Sequence, residues 1–168
     1  MVGAAGGTRR RLEPLAAGDV FELRAGEHRF GYGQVIRPGT VFYTSILKGV
    51  HDRPQLPESL SPESVLLLAR TTDGCFWRGD WKVVGNLPPP PDIPFPKAKV
   101  HQEGELYVVD FEGRLLRRAS QADADLYDYE LSVSSPRLQD AWLSHSGLGE
   151  ARGADPRLTF EYVRARSG

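Results

Sequence analysis

The chain is short of the residues that usually anchor chemistry. It has one cysteine, Cys75, among 168 residues, so no internal disulfide can form, which points to a reducing cytoplasm. The longest unbroken apolar run, Val65 to Ala69, is far below the ~18 residues that a membrane-spanning helix needs. The first residues, with Arg9, Arg10 and Arg11 after a string of small side chains, lack the apolar segment of a secretion signal. Net charge is −1, so nothing global directs the protein to nucleic acid or to a charged membrane surface. The four histidines, at 28, 51, 101 and 145, share no short spacing with one another or with Cys75, which argues against a metal site and implies no cofactor.

Turn formers, by contrast, are abundant. The 18 Gly and 13 Pro make up about 18% of the chain, against a usual share of about 12%. Short elements joined by many turns are therefore expected, in one domain large enough to bury its own core. Residues 1–14 read as a flexible tail and residues 15–168 as a single β-rich domain.

Period-two alternation places strands at 20–24 and 30–36, joined as a hairpin through Ala25-Gly26-Glu27-His28. Phe30, Tyr32 and Ile36 fall on one face of the second strand, while Gly31 and Gly33 leave the other bare, as at the bends of small barrels. Further strands are expected at 41–47, 65–70 and 81–85, in the hairpin 105–111/114–117, at 127–133 and at 158–164. Residues 51–63, with Pro54, Pro57 and Pro62, read as irregular with a helical turn at Ser61-Pro62-Glu63. Pro88 to Pro96 reads as a stiff strap pinning Ile93 and Phe95 to the body. One helix is clear, starting with Ser135 as N-cap and Pro136 in the first turn and ending at Gly147. The expected architecture is mostly β (α+β), a small barrel-like antiparallel sheet with about one C-terminal helix.

Motifs for chemistry are missing. Asp123-Ala124-Asp125-Leu126-Tyr127-Asp128 opens like a calcium loop, but Asp128 stands where that loop needs Gly, and Ser134 where it needs Glu. Gly31-Tyr32-Gly33 precedes no helix and cannot cradle a pyrophosphate. Cys75, beside Phe76 and Trp77, reads as a small buried hydrophobe. Tyr32, Trp77 and Trp81 would serve a stacking platform for single-stranded nucleic acid or a small ligand, but such platforms need a basic groove, and residues 12–84 carry eight Lys or Arg against nine acids. Charge does gather elsewhere, because residues 101–161 hold 12 acids against six Arg. With no catalytic constellation, binding is a better expectation than catalysis.

Gly18-Asp19-Val20-Phe21-Glu22-Leu23, followed by Phe30-Gly31-Tyr32-Gly33-Gln34-Val35-Ile36, resembles the start of the immunity protein 26 family of bacterial polymorphic toxin systems. Trp81-Lys82-Val83-Val84-Gly85 and the downstream Ile93-Pro94-Phe95 also look like that family, and the resemblance covers about residues 15–115. It implies a mostly β, non-enzymatic protein that binds and neutralises a toxin domain encoded nearby. Gly18, Asp19, Phe21, Gly31, Tyr32, Gly33, Trp81, Gly85 and Phe95 would then build the fold, leaving the toxin contact to less patterned segments. Many such toxins are basic nucleases, so the acidic residues Asp123, Asp125, Asp128 and Glu130 are the expected contacts.

Overall fold

A computed structural model describes residues 13–168, so most of the expected tail lies outside the described residues. Among the described residues nine strands make two sheets. The larger contains β1 (Asp19–Arg24), β2 (Phe30–Arg37), β3 (Phe42–Leu47), β4 (Val65–Thr71), β5 (Lys82–Asn86) and the two-residue β9 (Ser132–Val133), in the order β5-β1-β2-β3-β4-β9. The smaller contains β6 (Ala98–Gln102), β7 (Glu105–Val109) and β8 (Leu115–Arg118). Neighbours in both are antiparallel except β4 and β9. The fold is mostly β within an α+β class, as the turn-rich composition implied.

The sheets do not close into a barrel, and the reason lies in how the faces are covered. Along β1, β2 and β3 successive side chains enter two different cores. One holds Phe21, Leu23, Val35, Phe42 and Ile46 with Cys75, Phe76, Trp81, Leu138 and Trp142. The other holds Val20, Tyr32, Ile36, Tyr43 and Leu47 with Ile93, Phe160 and Val163. With a layer on each face, the sheet stays open. The barrel expectation rested partly on Gly31 and Gly33 making a bend; both instead leave room for rings. A Cβ on Gly31 would sit 2.4 Å from the Trp142 indole, and one on Gly33 would sit 2.3 Å from the Phe21 ring.

Four helices stand where one was expected: α1 (Gly74–Arg78), α2 (Gln121–Leu126), α3 (Ser135–His145) and α4 (Phe160–Ala165). Cys75-Phe76-Trp77 lies in α1, which turns two aromatics and the thiol so that Cys75 and Phe76 are buried against Trp81 while Trp77 faces water. The segment 158–164 alternates in sequence, yet Asp155 and Pro156 start a short 3-10 turn and the Thr159 hydroxyl accepts from Tyr162 N, which starts α4. Phe160 and Val163, three apart, then share its buried face. Of the expected strand 127–133 only Ser132–Val133 pairs as a strand, β9, while Tyr129 makes a single parallel bridge to Lys99 of β6. The α3 N-cap is Ser134 rather than Ser135, whose hydroxyl accepts instead from the Cys75 amide at 2.9 Å and ties α1 to α3.

Two further expectations match, while β6 stands where no strand was expected. Pro62–Ser64 forms the helical turn, and the strap passes over the second core, with Ile93 buried and Tyr43 Oη donating to Pro94 O at 2.7 Å. Phe95, Phe111 and Tyr43 pack ring against ring, with centroids 4.8 to 5.4 Å apart, and the guanidinium of Arg70 lies 3.8 Å above Phe111. This aromatic knot fastens the smaller sheet to the larger.

Candidate functional site

The nine residues that carry the family resemblance all occupy scaffold positions. Gly18, at φ +90°, donates to Val35 O and accepts from Leu87 N, while Asp19 accepts from Ala16 N and Asn86 Nδ2. Phe21 stacks on Trp81 at 4.9 Å, and Gly31 and Gly33 admit rings. Tyr32 is buried with its hydroxyl accepting from Gln55 N; Gly85 lies under Leu56; Phe95 is part of the knot. Tyr32 and Trp81 are thus in the interior, and of the three imagined stacking residues only Trp77 is exposed, at 52%.

The four acidic candidates lie on one stretch, α2 and the segment after it, but they are used differently. Ser120 caps α2 by accepting from Asp123 N, and the Asp123 carboxylate accepts in return from Ser120 N, a reciprocal capping box. Asp123 also takes Arg117 of β8 at 2.6 Å, and these bonds, the capping one foremost, hold its carboxyl below the usual range. Asp128 is half-buried, accepting from Tyr162 Oη at 2.5 Å with Arg166 Nε 3.7 Å away. Burial, reinforced by that bond, raises the Tyr162 phenol. Asp125 bonds only Gln121, and Glu130 is 61% exposed with Arg70 a distant 3.9 Å partner.

Between them the protein presents Tyr129. Its ring is 54% exposed, lies 5.9 Å from His101 and has the Lys99 ammonium 5.2 Å from its centroid. Lys99 is itself fixed by donating to Ala124 O at 2.6 Å, so β6, α2 and the 128–131 segment are locked together. Leu126, three residues earlier at the end of α2, is also exposed. Sequence reading missed Tyr129 and Leu126 because both lay inside a supposed strand or an acidic string; an aromatic set directly between two acids was the available signal.

Behind this surface lies a pocket of about 70 Å³, with Leu68, Leu158 and Val163 among its apolar walls and Arg70, Asp128 and Arg166 among its charged ones. A second, wider cleft by α1 is lined by Cys75, Glu22 and Arg78. There burial pushes the Cys75 thiol up, and Arg78 reaches it only at 3.7 Å, so it is held as a neutral thiol. Among the described residues no cluster of His, Cys, Asp or Glu is placed to hold a metal, and no helix is long and apolar enough to cross a membrane.

No family model, curated protein or solved structure matches this sequence.

Proposed function

We propose that this protein is an immunity protein of a bacterial polymorphic toxin system, which binds and neutralises a toxin domain encoded beside it, without catalysis. The observation that carries the reading is the exposed Tyr129, on the same stretch of chain as the exposed Leu126, Asp125 and Glu130. Interfaces concentrate their energy in such aromatic anchors, and exposed rim charges steer a partner of opposite sign. Asp123 and Asp128, whose carboxylates are engaged within the fold, set the position of α2 and of the Tyr129 backbone. The motif residues support the reading in a second way, because each has a scaffold task and leaves the exposed surface of α2 and residues 128–131 free for recognition.

A protein that protects its own cell must hold the toxin at nanomolar affinity or better, which calls for about 800 Å² buried per partner. The test is titration calorimetry with the C-terminal domain of the reading frame immediately upstream, purified as an inactive variant. Nanomolar binding to the wild type is expected. Tyr129→Ala should weaken it by at least ~2 kcal/mol, and Asp125→Lys with Glu130→Lys should slow association and remove most of its salt dependence. Absence of binding, or full affinity in both variants, contradicts the proposal.

A further inference from the structure

The helix α2 is too short to stand by itself. It has six residues, fewer than two turns, and isolated helices below about 12 residues are marginal in water. Its ends are tied to the small sheet by two different strands. At the N-terminal end Arg117 of β8 pairs with Asp123 inside the Ser120 capping box. At the other end the Asp123 carbonyl accepts from Tyr127 N, and the Ala124 carbonyl accepts from the Lys99 ammonium of β6 at 2.6 Å. A cation there answers both the free carbonyls and the negative dipole end of a helix C-terminus.

Lys99 does more than close the helix. Its backbone amide donates to Asp128 O at 2.9 Å, and it forms the parallel bridge with Tyr129. The ammonium that caps Ala124 also lies 5.2 Å from the centroid of the Tyr129 ring, within cation–π range. One half-buried residue thus reaches the end of α2, the backbone just before Tyr129 and the ring itself. An exposed ring has several rotamers open to it, and fixing one before a partner arrives removes an ordering cost worth roughly twofold to tenfold in affinity.

We infer that Lys99 is the positioning residue of this contact, a role that rests on the toxin-binding reading: it holds the Tyr129 ring in the orientation that the partner meets. Its charge has the same sign as the basic partner expected there, so the ammonium is not an attractive contact in its own right. Removing it cannot slow encounter with such a partner, and a positioning role therefore shows in dissociation alone.

Surface plasmon resonance of the full chain against the inactivated C-terminal domain of the upstream reading frame reads this directly. Lys99→Met keeps the aliphatic stem and removes the ammonium. It should speed dissociation by about fivefold to tenfold, with association unchanged or faster. Lys99→Arg, which keeps the charge and the donor, should restore the wild-type rate. In a Tyr129→Ala background Lys99→Met should have no further effect, because it acts through the ring. In the free protein, the NMR signals of the Tyr129 ring should move toward those of a short peptide in Lys99→Met and stay in place in Lys99→Arg. Lys99→Gln, two bonds shorter and neutral, serves as the second variant if Lys99→Met loses its signal dispersion. Absence of binding by the wild-type chain overturns the toxin-binding reading, and the role of Lys99 with it. Wild-type dissociation in the neutral variant, a loss confined to association, no rescue by Lys99→Arg, or the same loss with and without Tyr129 overturns the role of Lys99 alone.

Discussion

The two sheets of this protein are built on opposite principles. In the six-stranded sheet, β2 and β3 are buried on both faces, and alternate side chains feed two separate cores. In the three-stranded sheet, β8 is exposed along its whole length, with Leu115 and Leu116 nearly half accessible, and only Val108 and Val109 of β7 are fully covered. The large sheet is a scaffold whose energy comes from packing. The small sheet with α2 is a platform held by polar bonds, from Arg117 to Asp123, Lys99 to Ala124 and Arg118 to Glu105, and by the Phe95–Phe111–Tyr43 knot. A surface kept in place without being buried is one that remains available to a partner.

The sharpest break between the two regions is expected from truncations. Trp142→Ala removes a fully buried indole from the first core and should cost ~3–5 kcal/mol in urea unfolding, whereas Leu116→Ala on β8 should change stability by less than about 0.5 kcal/mol. Comparable losses at the two sites would erase the distinction.

Next in size is Gly31→Ala. Its new methyl would meet the Trp142 ring at 2.4 Å, so a loss of about 1–3 kcal/mol is expected, and most of it should vanish in a Trp142→Leu background. Additive losses in the double variant would mean that the glycine serves the backbone rather than the ring.

A smaller effect separates packing from polar fixation. Asp155 accepts from the Arg157 backbone and side chain, and that side-chain bond, with Arg137 nearby, lowers its carboxyl below the ordinary value. Its folded pKa therefore lies below its unfolded one. The stability it contributes is present above the unfolded value of ~3.9 and is lost as pH falls through the folded value. Urea midpoints measured from pH 6 down to 3 should fall on the acid side, and Asp155→Asn should flatten that fall. An unchanged acid limb in the variant would assign it to other carboxylates.

The same division explains what could be read from the sequence. β1 and β2 were legible from a period of two, β3 from its β-branched and aromatic residues and β4 from the length of its apolar run, and Gly18, Phe21, Tyr32 and Trp81 mark the turns and cores of this sheet. The strap was legible because proline excludes strand pairing. What misled was local capping chemistry overriding pattern: Thr159 and Pro156 turn an alternating stretch into α4, and Ser120 with Asp123 turns an acidic string into α2. The acidic residues were correctly placed near one another along the chain, but sequence does not tell which carboxylates the fold consumes. That depends on Arg117, Tyr162 and Arg166, between six and 38 residues away.

The central claim is that the platform meets the partner while the scaffold only supports it. Amide hydrogen exchange of the protein, free and bound to the C-terminal domain of the upstream reading frame that we propose as its partner, tests this most directly. Protection gained on binding should concentrate in residues 121–131 and in the adjoining β6, leaving the exposed β5 edge and α1 with Trp77 unchanged. Protection centred on β5 and α1, with 121–131 exchanging as in the free protein, would contradict it.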